Sequence, residues 1–264
     1  MKKSPIFMTI CLAGAGLGST LANADTIEVI SSGGFYSSME KLIPLFEKQT
    51  GHTVHLSSGS SMGASPTAIP NRLDRGERFD VVVLAAPELS KLAEKGYVDP
   101  NSQSPLVNSS IGMAVPKGAP KPDISSAEKF EKVLLNAKHI GYSASASGTH
   151  LEKDVFPSFP PVEYKVISSK AEKVVGDRVA KRIAEGQFDI GFQQISEIKP
   201  FTGKYGQVEL VGPIPAPYQK VTVFAAGIGK NSEHAKVAKE LIKFVKSPQA
   251  TQIIEEQGLE QVKE

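Results

Sequence analysis

The sequence is short of the features that usually announce a chemistry. It has one cysteine, Cys11, and no tryptophan. Neither sign of charge dominates: 30 Lys and Arg stand against 28 Asp and Glu, a formal net charge of +2. A basic field able to hold nucleic acid is therefore excluded. No G-x-x-x-x-G-K-[ST] phosphate loop and no H-E-x-x-H pair occurs, so phosphate-loop chemistry and zinc hydrolysis have no support, and classical hydrolysis is not expected. Internal repeats and low-complexity stretches are absent too. The remainder, 40% hydrophobic and 22% charged, is ordinary globular composition, and 264 residues suffice for one or two domains with a sizeable core.

Long apolar runs are also missing. The most apolar stretch, Ile6 to Leu21, falls short of the roughly 20 residues a membrane span needs. It follows the basic pair Lys2-Lys3 and ends in Ala22-Asn23-Ala24, a small-x-small pattern. Residues 1–24 are therefore expected to be a signal peptide cut before Asp25, and the mature chain is not expected to be membrane-embedded. Cys11 follows Ile10 rather than Gly or Ala, which argues against a lipid anchor. Loss of the leader removes the only cysteine, so neither a disulfide nor thiol chemistry is expected. It also removes Lys2 and Lys3, which brings basic and acidic residues level. Export points to a bacterial periplasm.

What is present is an alternation of strand and helix. Thr26–Ile30 alternates and is β-branched, as a strand should be; Met39, Leu42, Ile43 and Phe46 follow at helical spacing. Further strands are expected at 53–57 and 80–84, with helices ending at Gly76 and Gly96. Asp80-Val-Val-Val-Leu84 lacks polar alternation, as a strand buried in a parallel sheet does. A second block begins near Ser110, with strands at 111–115, 139–143 and 188–193. Helices are expected from Ser125 or Ser126 to Ala137, from Ser145, and over 172–185. A strand at 221–228 and helices at 233–245 and 249–256 lead back to the first block. The chain reads as α/β, with residues 25–109 plus 215–264 as one lobe and 110–214 as the other. Each lobe is expected to be a doubly wound mixed sheet with flanking helices, and a cleft separates them.

Three Ser/Gly loops each leave a strand and enter a helix: Ser31-Ser-Gly-Gly34, Ser57-Ser-Gly-Ser-Ser61 and Ser143-Ala-Ser-Ala-Ser147-Gly148. Loops in that position lie at the carboxyl ends of the strands, where helix N-termini offer free N–H groups and hydroxyls add uncharged donors. The site suits a small anionic ligand. Candidate binding residues are Ser32, Gly33, Ser60, Ser61, Ser145, Ser147, Gly148 and Thr149, with amides from Gln193 and Gln194. Arg72, one of five arginines, is a candidate bidentate partner for a carboxylate, with a surface salt bridge as its plain alternative. His150 is the preferred proton donor and acceptor, with Glu152 second. His52 and His55 are read as sharing one face of the second strand, but no third ligand is near, so no metal is expected.

Together, SSGG, GSSMG, RGERFDVVVLA, YSASASG and GFQQ resemble the periplasmic type II solute-binding proteins of the molybdate-binding type, along the whole exported chain. Within that set, Ala68-Ile-Pro-Asn-Arg-Leu73 and Gly191-Phe-Gln-Gln194 are more similar to the bacterial aconitate isomerases, exported enzymes on the same scaffold. Relatives often carry an acid at the position of Ala144 and a tyrosine at that of His150. The resemblance implies the two-lobed type II binding-protein fold, oxyanion-type binding by Ser32 and Ser61, and backbone donors near Ser147, Gly148 and Thr149. It implies cofactor-free isomerisation of cis- and trans-aconitate by allylic proton transfer. The alternative is a non-catalytic binding protein that delivers a molybdate-type oxyanion or a di- or tricarboxylate to an ABC permease.

Overall fold

The computed structural model describes residues 24–262. Nearly all of the expected leader, Cys11 included, lies outside them. Among the described residues no helix is long and apolar enough to cross a membrane.

The chain opens with β1 (Thr26–Ser32), α1 (Gly33–Thr50), β2 (Thr53–Gly59), α2 (Ile69–Asp74), β3 (Val81–Ala85) and α3 (Ala86–Glu94). Ile27 and Val29 of β1 face the same layer as Phe35, Met39, Leu42 and Phe46 of α1, and all are buried. Ile30 and the alternate residues Val82 and Leu84 of β3 pack on the other face, against Leu89 and Leu92 of α3. Helices thus cover both faces, which is why β3 is buried along its whole length.

β4 (Ser104–Ser109) passes through Ser110 directly into β5 (Ile111–Pro116). Then come α4 (Ala127–Asn136), β6 (Ile140–Ser143), α5 (Ala146–His150), α6 (Pro161–Ser168), β7 (Ala171–Val174), α7 (Val179–Ala184), β8 (Ile190–Gln194), α8 (Ile195–Ile198) and β9 (Val208–Pro213). The chain returns through β10 (Thr222–Ile228), α9 (Ala235–Val245), α10 (Pro248–Glu256) and β11 (Leu259–Gln261).

Two mixed sheets result, in the orders β11-β4-β10-β3-β1-β2 and β7-β6-β8-β5-β9. In the first, β2 and β3 run parallel to β1, while β10 is antiparallel to β3 and β4. In the second, β7 and β8 run parallel to β6, and β5 is antiparallel to β8 and β9. The two crossings lie side by side, because Thr222 of β10 pairs with Ser109 of β4. The Gln219 side chain joins them: Oε1 accepts from Ile111 N–H at 2.8 Å and Nε2 donates to Ile111 O at 2.9 Å.

Two expectations are corrected. Residues 172–185 are not one helix: β7 ends at Val174, and α7 begins only at Val179. The sequence Ala171-Glu-Lys-Val174 is an edge strand with two exposed charged residues, so it carries no apolar period, and Gly176 then turns the chain. His52 and His55 do not share a face, since an offset of three residues reverses direction on a strand. His52 Nε2 is 3.6 Å from Glu240, and His55 Nδ1 is 2.8 Å from Glu28 on the exposed side.

Candidate functional site

A cavity of about 360 Å³ is lined from the carboxyl ends of β1, β2, β6, β7 and β8. Ligands of open α/β sheets bind at such strand ends. The volume falls in the range of small-molecule sites, roughly 300–1,000 Å³.

Ser32 ends β1 and is the N-cap residue of α1, yet no side chain caps that helix and no acid occupies its first turn. The N-terminus of this 18-residue helix therefore faces the cavity with no cap from Ser32 and no acid in its own first turn, and the Glu197 carboxylate lies beside Gly33. Ser32 is 2% exposed and its Oγ has no hydrogen-bond partner among the described atoms. A buried hydroxyl left without a partner costs stability, so the fold keeps this donor in reserve.

The second loop brings Ser58, Ser60, Ser61 and Met62 to the wall. Ser61 Oγ accepts from Ala85 N–H at 3.1 Å, which leaves its own proton to donate. Ser60 Oγ is turned back to donate to Met62 O at 2.8 Å. Gly59-Ser-Ser-Met-Gly63 has G-x-S-x-G spacing, but no histidine lines the cavity to activate Ser61 as a nucleophile.

The third loop contributes Ser145 and Ser147. The Ser143 and Ser147 hydroxyls lie 2.9 Å apart, and Ser143 Oγ also accepts from Gly148 N–H at 3.3 Å. Gly148 is buried beneath the wall; a Cβ there would collide with Ser143 O. Thr149 also stays off the wall, its Oγ1 lying 3.4 Å from Met62 Sδ. Gln193 and Gln194 are 2% exposed and line the floor. Gln194 accepts from Ser109 Oγ at 2.7 Å and donates to Thr222 Oγ1 at 3.0 Å, one residue on each crossing strand.

The charged groups differ from those expected. Arg72 does not line the cavity: its Nε and Nη2 hold Glu77 at 2.8 and 2.7 Å, and its guanidinium lies 5.0 Å above the Phe79 ring. Its Nη1 donates to Ser58 O at 3.1 Å, so it steadies the second loop from behind. The cation in the wall is Arg178, between β7 and α7, about 6 Å from the Tyr36 and Phe201 ring centres. Its neighbour Asp177 is committed to Lys181 and Arg182, each at 3.0 Å. Burial opposes ionisation of Asp177, but the Arg178 N–H and those two cations outweigh it and hold the carboxyl below its usual range.

His150 and Glu152 also lie outside the lining. His150 Nδ1 meets Asp154 at 2.7 Å and Nε2 meets Tyr218 O at 3.0 Å, which occupies both ring nitrogens. Glu152 pairs with Lys173 at 2.6 Å. Two acids do line the cavity, Asp177 beside Arg178 and Glu197 on α8. Glu197 differs from Asp177 in its partners. It reaches back to the backbone of Gln194, the N-cap residue of its own helix, and bonds the Gln193 side chain. Burial pushes its carboxyl up to about 7, against the opposing pull of Arg178 and those hydrogen bonds. A helix over 172–185 hides Arg178, because it conceals the fourth strand-end loop that follows β7. Glu197 was hidden by the shortness of α8, although an acid three residues past a strand end was a usable sign.

Among the described residues no group of three His, Cys, Asp or Glu side chains is arranged to hold a metal ion. The chain is 37% identical over 262 residues to an aconitate isomerase of a Pseudomonas species, with 98% of each chain covered. In fold it is similar to the periplasmic molybdate-binding protein of Azotobacter vinelandii (24% identity, TM-score 0.67, 90% of this chain and 99% of that one). It is likewise similar to the sulfate-binding protein SubI of Mycobacterium tuberculosis (17% identity, TM-score 0.71, 90% of this chain and 87% of that one). The model of the bacterial extracellular solute-binding proteins matches residues 27–260, through both sheets and every wall of the cavity, and the chain belongs to that family.

Proposed function

We propose that this protein is an isomerase that interconverts cis- and trans-aconitate in the cleft between its two lobes. The observation that carries the reading is the 37% identity with an aconitate isomerase along 98% of both chains. The chemistry of the cavity supports it.

Aconitate carries three carboxylates and a CH2 group allylic to its double bond. Moving the double bond requires a proton to leave that CH2 and another to reach the former vinyl carbon. Meanwhile negative charge builds on a conjugated carboxylate, and fixed donors aimed at that charge lower the barrier. The open N-terminus of α1, the free Ser32 hydroxyl and the Ser61 hydroxyl suit a carboxylate of this kind. Arg178 suits a second carboxylate, and its planar fork allows a bidentate grip. Ser145 and Ser147 complete a wall of neutral donors. Backbone N–H groups and side chains of the protein supply the donors and charges that this chemistry calls for.

The reading includes export to the periplasm behind a cleaved leader, and a division at the two crossings into lobes of residues 25–109 plus 215–264 and 110–214. A pure carrier of molybdate or sulfate is less well served by this cavity. Glu197 places a titratable carboxyl among the donors, a group that proton transfer needs and that holding a molybdate or sulfate ion does not.

Proton NMR of the purified exported chain with trans-aconitate in deuterated buffer tests the proposal. Growth of cis-aconitate signals above a protein-free control is expected. Absence of conversion, with molybdate or trans-aconitate still raising the melting temperature, makes the protein a carrier for an importer instead.

A further inference from the structure

We infer that Glu197 is the catalytic residue that takes the allylic proton of aconitate and returns it to the other end of the allyl unit. The inference rests on the isomerase reading above. It concerns a residue outside the Ser/Gly loops, on a helix of four residues, and four observations converge on it.

The first is position. Glu197 lines the cavity, while His150 and Glu152 do not. The second is elimination by commitment. The other carboxyl of the wall, Asp177, is tied to Lys181 and Arg182, so it is held ionised and is a poor base. No carboxylate–cation contact within 4 Å involves Glu197 among the described residues. The third is fit. A Cβ at Gly33 would overlap the Glu197 carboxylate, so the first residue of α1 has no side chain where that carboxylate lies. The acid of the second sheet thus meets the helix terminus of the first, where the substrate carboxylate with developing charge is bound. Ser196 Oγ donates to Gly34 O at 2.6 Å beside it and holds α8 against α1. The fourth is chemical readiness. Burial raises the carboxyl towards neutrality, where one group serves as base and then as acid.

The step balances without any further reactant. Ionised Glu197 takes a proton from the CH2; the C–H electron pair becomes the new π bond, and the old π pair moves onto the conjugated carboxylate. The pair then returns to the former vinyl carbon, which takes the proton back from the Glu197 carboxyl. Nothing is oxidised, and the enzyme ends as it began. The geometry of the new double bond follows from the rotamer in which the cavity holds the CH2–carboxylate arm.

The groups that act on Glu197 are Arg178 from the β7–α7 loop, the Gln193 side chain from β8 and the backbone of Gln194, and Asp177 shares the cavity wall with it. Ionisation of Glu197 makes the base, so kcat/KM rises with pH through about 7 and then levels. The test compares wild type with Glu197→Gln and Glu197→Asp. Turnover, deuterium entry into the CH2, and the shift in melting temperature on adding trans-aconitate are measured for each. Glu197→Gln is expected to lose at least about 100-fold in kcat, to lose deuterium exchange and the pH limb, and to keep its ligand-induced shift. Glu197→Asp keeps the charge but withdraws it by one methylene. It is expected to lose at least about tenfold in kcat, and it decides the matter if the Gln variant does not fold. Either folded variant turning over within threefold of wild type overturns the assignment and leaves the isomerase reading intact. A wild-type protein that neither isomerises nor exchanges overturns both.

Discussion

Two arginines show how far identity and neighbourhood in the chain define a side chain. Arg72 sits on α2 just after the second Ser loop, and its position along the chain made it the natural cation for a carboxylate. In the fold its guanidinium is already shared between Glu77, Ser58 O and the Phe79 ring. Arg178, in a loop that carried no recognisable motif, faces the cavity. Replacing Arg178 by Ala is expected to weaken trans-aconitate binding by at least about tenfold, the scale of one charge-assisted hydrogen bond, in an isothermal titration. Arg72→Ala is expected to change binding by less than about threefold. It should lower the melting temperature slightly, as loss of a partly exposed ion pair does. Serines are clearer in sequence than arginines, because a Ser/Gly turn between strand and helix defines its own location. A long cationic side chain reaches about as far as the loop that carries it allows.

Elements were legible wherever a buried face imposed a period. β1, β3 and α1 follow from alternation, from an unbroken apolar run and from helical spacing respectively. Their pairing across both faces of one sheet then follows from the need to cover β3. β7 failed because an exposed edge strand buries only Val174 and leaves no pattern to read. β11 has three residues and α8 four, too short to hold a period. The third Ser loop depends on its closing glycine more than on its serines. Gly148→Ala sets a methyl against Ser143 O and is expected to cost about 1–3 kcal/mol as overpacking. A thermal melt should show a drop of several degrees, and trans-aconitate should stabilise the variant less than it does wild type.

For the whole molecule, the burial of Glu197 ties stability to pH. Its carboxyl is raised in the folded chain to about 7, above the unfolded value near 4.3, so the folded state holds the extra proton between those limits. The contribution to stability is complete below the unfolded value and is lost as pH rises through about 7. Glu197→Gln stays neutral at every pH. Its melting temperature relative to wild type is therefore expected to rise between pH 5 and pH 8. A gap that does not change over that range contradicts burial of the acid.

The sequence by itself determined the α/β alternation, the two blocks with their crossings, and the three Ser/Gly loops between strand and helix that come to line one cavity. These follow from short-range physics: a period of two or 3.6, a turn that needs Gly, a hydroxyl beside a helix start. Only the tertiary structure decided which charged groups share the cavity with those serines. Arg178 and Glu197 are separated from Ser32 by most of the chain and meet it only because β7, β8 and β1 all end at one cleft. Burial, which moves the proton affinity of Glu197, is likewise a property of the assembled sheets, because no stretch of chain excludes water from its own acid.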